Sequence, residues 1–380
     1  MRIIRVSRVK TFLQWGILLM CLKTSFSMSA IVPYSDLADN ILTALATICL
    51  VAAIVQKGYS INTLLTYLVL SLLSLFSVIQ TGNYGFLVTI IVCLAAREKE
   101  LDKILRFIYQ FELAFLVVHT IAAAFLDLVG VHALEMNIYG VIRYSFGFAH
   151  PNTFSIYLFN VLLLWSWLNY EKISGRHIVI IFLIAVVAAI FTKTRTSFLT
   201  SILFCLLVLV SKSKYSIKKG LNGIAKFIFP LCAASTLAAV HLYLANNALI
   251  LLLNALLSSR IKLGAYALSH FGYSVLGQDI SRYEVVWDAE WRLNGFTFDN
   301  LYTFLAFNQG IVWILLLSLA FYLLAKKNNL KTSVFIIIWT LYGITEVHGL
   351  NGFRCFPIFL IVSLLEHGKS KRGQRIRPMG

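Results

Sequence analysis

The sequence predicts an all-α integral membrane protein with about twelve transmembrane helices, on three observations: its composition, the length of its apolar runs and the placement of its basic residues. The 380-residue chain is 59% hydrophobic and 13% charged, with a mean hydropathy of +0.82. That is more apolar surface than one soluble core buries. Crossing the hydrocarbon takes about 20 mostly apolar residues per helix, and the runs have that scale. Five prolines and no Gly/Ser-rich tract leave no linker, so residues 1–380 read as one polytopic domain without internal repeats.

The basic start, MRIIRVSRVK, leads into an apolar run without a small-residue cleavage site, so 12–32 reads as the first helix and not a signal peptide. Further runs lie at 37–55, 61–79, 84–96, 104–126, 153–169, 177–191, 196–211, 227–245, 300–324, 332–347 and 354–365. The fourth and twelfth are short enough to be tilted or re-entrant. The segment NNALILLLNALL, 246–257, is too short to span and reads as an amphipathic helix within a large outer loop, 246–298. The six cysteines lie mostly in apolar runs without CxxC spacing, and read as small core residues.

Orientation follows from the bias of Lys and Arg toward cytoplasmic loops. With both termini in the cytoplasm, only Arg143, Lys193, Arg195, Arg260, Lys262, Arg282, Arg292 and Arg354 of the 33 basic residues fall outside, and Lys23 lies within the first span. The net charge of +17 is therefore mainly topology, and no nucleic-acid partner is expected. A cation retained on the outer side needs a reason, and an anionic ligand supplies one. Lys193 and Arg195 stand in TKTRTS, a tight turn between spans seven and eight. Thr194, Thr196 and Ser197 add hydroxyls there at a helix start, whose free N–H groups favour phosphate. Snorkelling anchors are the competing reading.

Four stretches carry a resemblance: Arg143 through His150-Pro-Asn152, TKTRTS, SSRIKLGAYALSHFGYSVLGQ from Ser258, and DNLYTFLAFNQGIVW from Asp299. In order and spacing they resemble the O-antigen polymerase and ligase family, and most of all its capsular or exopolysaccharide repeat-unit polymerases, from about residue 80 onward. The resemblance implies a GT-C-like membrane glycosyltransferase joining undecaprenyl-diphosphate-linked oligosaccharides on the outer face of the cytoplasmic membrane. Lipid-linked donor and acceptor would be its substrates, membrane lipid its surroundings, and a flippase and a chain-length regulator its working partners. No cofactor is implied.

Residue by residue, the resemblance puts Gly147, His150 and Asn152 in the family's turn before span six, where helix-start chemistry alone also accounts for them. It matches Arg195 and Arg260 to the family's arginines, which suit a diphosphate because guanidinium binds bidentately, and Gly277 to a later glycine. Asp299-Asn300 stands where ligase members carry His-Asn. A diphosphate leaving group needs cationic stabilisation, and the acceptor hydroxyl needs a base. Asp299 is the favoured base, with Glu346, His348, His270, Asp279, Glu284, Asp288 and Glu290 as alternatives. Arg143, Lys193, His270, His348 and Arg354 complete the expected substrate contacts. Asp288-Ala-Glu290 as a cation pair is the weaker reading, and no metal is expected. A ligase of the same family, or a lipid-linked oligosaccharide flippase, would bind the same lipid; a flippase requires helices broken within the bilayer.

Overall fold

The computed structural model describes residues 2–57, 61–82, 84–138, 140–213, 215–280, 288, 291 and 296–365. It is an all-α membrane protein. In chain order come α1 (Arg2–Ser27), α2 (Asp36–Val55), α3 (Ile61–Thr81), α4 (Gly85–Ala95) and α5 (Glu98–Leu128). A two-stranded hairpin, β1 (Glu135–Ile138) and β2 (Val141–Tyr144), precedes α6 (Pro151–Leu168), α7 (Gly175–Thr192), α8 (Arg195–Ser211) and α9 (Tyr215–Leu244). Then follow α10 (Ala248–Leu256), α11 (Arg260–Phe271), α12 (Leu301–Phe304), α13 (Ile311–Lys326), α14 (Leu330–Tyr342) and α15 (Val362–Leu365).

Among the described residues five helices are long and apolar enough to cross a membrane: α2, α5, α7 and the 63–81 and 217–244 parts of α3 and α9. The bent pair α10 and α11 would make a sixth. Their outer faces expose large side chains such as Leu37, Ile48 and Val55 on α2 and Val118 and Phe125 on α5. Lipid tails suit such a surface, whereas a soluble protein rarely exposes so much contiguous apolar area. The interior is aromatic where α9, α13 and α14 meet: Phe229 lies 5.4 Å from Phe321 and 5.8 Å from Trp339 between ring centroids.

The basic residues of one end of the bundle find partners there. Lys57 pairs with Glu100 at 2.7 Å and also donates to the Ala95 carbonyl, and Lys327 reaches Glu98 at 3.7 Å. Lys212 Nζ donates to the Tyr170 carbonyl at 2.8 Å, and the Lys331 ammonium lies 3.9 Å from the centre of the Trp167 ring. The opposite end, where α1 stops and α2 starts, is called the upper end below.

Three apolar runs differ from expectation. The run expected as one span over 300–324 is α12, a π-helical turn (Leu305–Gln309) and α13, broken at Gly310. Gly310 has φ 111°, and a Cβ there would meet the Val275 carbonyl at 2.5 Å. The loop 274–278 docks onto the break and satisfies its backbone: Ser274 N donates to Ala306 O at 3.0 Å, Ile311 N to Ser274 O at 2.9 Å, and Gln278 N to Asn308 O at 2.9 Å. Interrupted helix is tolerated inside a membrane protein when other protein groups satisfy the freed amides and carbonyls. Gly277, φ 118°, belongs to the same contact, because its Cβ position lies 3.2 Å from Gln309 O. The run expected over 332–347 ends as α14 at Tyr342, so Glu346 stands in the loop beyond the helix. The last run begins as a 3₁₀ helix, Phe356–Ile361, before α15.

Lys23, expected within the first span, and His119, in α5, lie toward the upper end. Lys23 pairs with Asp39 in the first turn of α2 at 3.1 Å, and His119 Nε2 lies 2.8 Å from the Ser29 hydroxyl. Glu112 is within the bundle, where Asn160 Nδ2 donates to both its carboxyl oxygens at 3.1 and 2.9 Å.

Candidate functional site

Glu346 is the centre of the upper-end site, and three separate parts of the chain converge on it. From α8, Thr196 donates its hydroxyl to Glu346 Oε1 at 3.2 Å. From α11, Arg260 brings Nη2 to 3.7 Å from the same oxygen, and both side chains are largely buried. From the start of α12, Asp299 lies within electrostatic reach of both Arg260 and Glu346.

Local sequence explains each approach. Arg260 is the first residue of α11, which leaves α10 at a bend of 117°. Ser258 and Ser259 make that bend with φ of 54° and 66°, and Asn254 Oδ1 accepts Lys262 N at 2.9 Å, satisfying a free amide of the new helix. Asn300 caps α12, its Oδ1 accepting Tyr302 N at 2.8 Å and Thr303 N at 3.1 Å. Its Nδ2 donates to Ile344 O at 2.7 Å, so the cap also ties Asp299 to the loop that carries Glu346. Asn300 is thus a positioning residue.

Burial sets the electrostatics. It raises the Glu346 carboxyl to about 7; Arg260 opposes the rise, Asp299 adds to it, and the Thr196 hydrogen bond opposes it. The Asp299 carboxyl is also raised by burial, against the pull of Arg260. Two carboxyls lie within electrostatic reach of one guanidinium in a buried site, and burial with like-charge repulsion keeps Glu346 from ionising easily. Such a carboxyl changes charge near neutrality, which is what a general base needs. The Arg260 Nε is buried without a hydrogen-bond partner among the described residues, so this guanidinium has donor capacity there for an incoming anion. Arg195, the first residue of α8 and next to Thr196, is exposed and has no hydrogen bond or ion pair among the described residues.

Beside this cluster a cleft of about 660 Å³ opens between α1, α2, α4, the π-helical turn and the 347–354 loop. Lys23, Asp39, Gln309, His348 and Arg354 line it. Arg354 Nη1 donates to His348 Nδ1 at 3.0 Å. The imidazole is held neutral, with burial and then Arg354 lowering it to about 3. The Tyr342 hydroxyl, at the top of α14, is buried without a hydrogen-bond partner among the described residues and within electrostatic reach of Glu346, Arg354 and Arg260.

The remaining sequence candidates lie apart from Glu346 in their contacts. Arg143 Nε donates to the Thr192 carbonyl at 2.8 Å and its Nη2 to Asn152 Oδ1 at 3.1 Å, which pins the hairpin to the end of α7 and the start of α6. His150 is the N-cap of α6, its Nδ1 accepting Asn152 N at 3.1 Å, with Pro151 following. Gly147, φ 84°, is required because a Cβ would meet His119 Cε1 and Ala123 Cβ, both at 2.8 Å. Lys193 closes α7 in the left-handed conformation, φ 52°, with its side chain exposed. His270 stacks on Tyr266 at 4.0 Å and lies 3.9 Å from Asp288 Oδ2, while Asp288 Oδ1 accepts Trp291 N at 3.0 Å. Arg282, Glu284, Glu290 and Arg292 lie outside the described residues. Among the described residues no three His, Cys, Asp or Glu side chains group as a metal site.

Sequence reasoning named Glu346 only as one alternative base and did not connect Lys23 with Asp39. A buried acid four residues after the end of α14 carries no local signal, because its partners are 86 and 150 residues away in Arg260 and Thr196. Asp39 was findable, as one of two acids in the first turn of an otherwise apolar helix. Fold and site together define an all-α membrane protein with a buried, mixed-charge cluster at one end of the bundle. Compared with family models, curated proteins and solved structures, the chain matches none.

Proposed function

We propose that this protein is a GT-C-like membrane glycosyltransferase that joins undecaprenyl-diphosphate-linked oligosaccharide repeat units on the outer face of the cytoplasmic membrane. The observation that carries the reading is the Arg260–Glu346–Asp299 cluster, with Arg195, exposed and without hydrogen bond or ion pair among the described residues, next to Thr196 in the chain. The motif order of the sequence supports it. The partners of Lys57, Lys212, Lys327 and Lys331 at the opposite end support an orientation with the cluster outward, by the positive-inside bias. The twelve spans belong to this proposal, with α12 and α13 as one broken span.

In the reaction, an acceptor sugar hydroxyl attacks the anomeric carbon of the donor and the bond from that carbon to the diphosphate oxygen breaks. The hydroxyl proton passes to a carboxylate, and the leaving diphosphate keeps the bonding electron pair. Arg195 and Arg260 stabilise the charge that develops on it. Glu346 takes the base role first, ahead of Asp299, because it makes direct contacts with Arg260 and Thr196. A transporter of lipid-linked glycan is the second reading, and the helix broken at Gly310 favours it. Against it, the described break is covered by the 274–278 loop.

The test is Arg195→Ala at equal membrane expression, in a host lacking its own polymerase, read as glycan chain length on a gel. Loss of the ladder with single units accumulating on lipid outside is the expected result. A normal ladder removes Arg195 from the site. A ladder kept on lipid but missing from its final acceptor indicates a ligase, and units trapped on the inner leaflet indicate a transporter.

A further inference from the structure

The cleft beside the cluster has a charge that the transferase reading does not use. Lys23 and Asp39 neutralise each other at 3.1 Å, and the second Asp39 oxygen accepts the Tyr34 hydroxyl at 2.8 Å, so Asp39 is fully engaged. Arg354 is left over. Its hydrogen-bond partner is the neutral ring of His348 at 3.0 Å, and among the described residues its Nε is buried without a partner and no carboxylate is within ion-pair distance. The carboxylate within electrostatic reach of Arg354 is Asp39, already paired with Lys23, so Lys23, Asp39 and Arg354 leave one net positive charge on the described lining, which is costly to bury unless an anion arrives. Two further cleft groups are buried and unsatisfied: Thr24 Oγ1, in a residue 3% exposed, and Gln309 Oε1, in a residue 1% exposed.

We propose that this cleft binds an acidic sugar residue, with Arg354 taking its carboxylate and Thr24 and Gln309 its hydroxyls. One unmatched positive charge suits one negative charge. A diphosphate, carrying more than one, would stand against Asp39. The aromatic rings of Tyr84, Phe298 and Phe304 on the same walls suit the apolar face of a pyranose, as in pockets that combine apolar lining with a few placed polar groups. The volume of about 660 Å³ leaves room for more than one ring. The assignment deepens the transferase reading and rests on it for the ligand being a glycan: the cleft would hold part of the repeat unit while the reacting hydroxyl or diphosphate lies at Glu346.

The full-length protein in detergent would be titrated with cellobiouronic acid, an acidic disaccharide with one carboxylate, with its neutral counterpart cellobiose, and with inorganic pyrophosphate, by calorimetry or saturation-transfer NMR. Wild type and Arg260→Gln should bind the acidic disaccharide equally and at least tenfold more tightly than cellobiose. Arg354→Gln should lose that preference, and Arg354→Lys, which keeps the charge, should retain part of it while showing that the fold tolerates change there. Equal binding of acidic and neutral disaccharide by wild type overturns the proposal, as does an unchanged preference in a folded Arg354→Gln protein. Pyrophosphate displacing the disaccharide in wild type and in Arg260→Gln, but failing to bind Arg354→Gln, overturns it in favour of a phosphate site. The two readings separate cleanly. A binding result with no dependence on Arg354, beside a lost ladder in Arg195→Ala, rejects this inference and leaves the transferase standing; Arg354-dependent preference for the acidic disaccharide, beside a wild-type protein that builds no ladder in the same host, rejects the transferase and leaves the acidic-sugar cleft.

Discussion

Replacing Glu346 with Gln removes the charge and keeps the shape, and it tests the site on two readouts that move independently. If Glu346 is the base, its loss lowers the transfer rate by about 100- to 10,000-fold, the usual worth of a placed proton acceptor. The stability readout follows from linkage. The folded Glu346 holds its proton up to about 7, whereas the ordinary carboxyl value is 4.5. Between those pH values the folded state binds more protons than the unfolded one, so stability falls as pH rises, with the loss absent below the lower value and complete above the upper. At about 1.4 kcal/mol for each tenfold change in proton affinity, the loss amounts to roughly 3 kcal/mol. The Gln variant has no such dependence. Melting curves of both purified proteins at pH 5 and pH 8 should therefore show the difference in stability moving in favour of Glu346→Gln at the higher pH, while chain extension is abolished at both. A variant that is inactive but whose melting tracks wild type at every pH would refute the buried, proton-holding Glu346. One that extends chains normally would remove it from the chemistry.

The other expectations follow from the same geometry. Chain extension by wild type, measured with purified lipid-linked substrate, should rise with pH through about 7 as Glu346 loses its proton, and His348, lowered to about 3, should add no step between pH 5 and 8. Gly310→Ala should prevent stable folding, seen as loss of a monodisperse peak in detergent chromatography, because its Cβ would stand 2.5 Å from the Val275 carbonyl. His150→Ala should cost about 1 kcal/mol of stability through the lost N-cap and leave glycan length unchanged. Arg143→Lys should lower the melting temperature, since one ammonium cannot reproduce both the bond to Thr192 O and the bond to Asn152 Oδ1, and a normal ladder from it would establish Arg143 as a clamp and not a ligand.

How much of the site was legible depended on whether the signal was local. The turn at His150-Pro-Asn152 was readable because an N-cap and a proline at the first helical position lie next to each other in sequence. Asp299-Asn300 was readable as a helix mouth for the same reason, and the cap is there. The end of α14 was not. Nothing within TEVHGLNGFR distinguishes a helix that stops at Tyr342 from one that continues through Glu346, because the apolar run passes over the boundary and the stop is made by contacts with α12, such as Leu301 N donating to Gly343 O at 2.8 Å. The break at Gly310 was hidden likewise. A lone glycine in an apolar stretch is common, and its meaning appears only when the 274–278 backbone packs against it.

By itself the sequence determined the class of this protein. Apolar runs of bilayer length cannot be buried in water, and the few charges that remain must sit at helix ends or find partners, so membrane residence and an all-α architecture follow from composition and pattern. It also marked Arg260 and Arg354 as cations needing an explanation. Only the tertiary structure decided what surrounds each of them. Arg260 received Glu346 from 86 residues away and so became part of a proton-holding cluster, while Arg354 received a neutral histidine, an open cleft and only the distant Asp39, already paired with Lys23. The physical reason is that electrostatic energy depends on separation and burial in space, and neither is a function of distance along the chain.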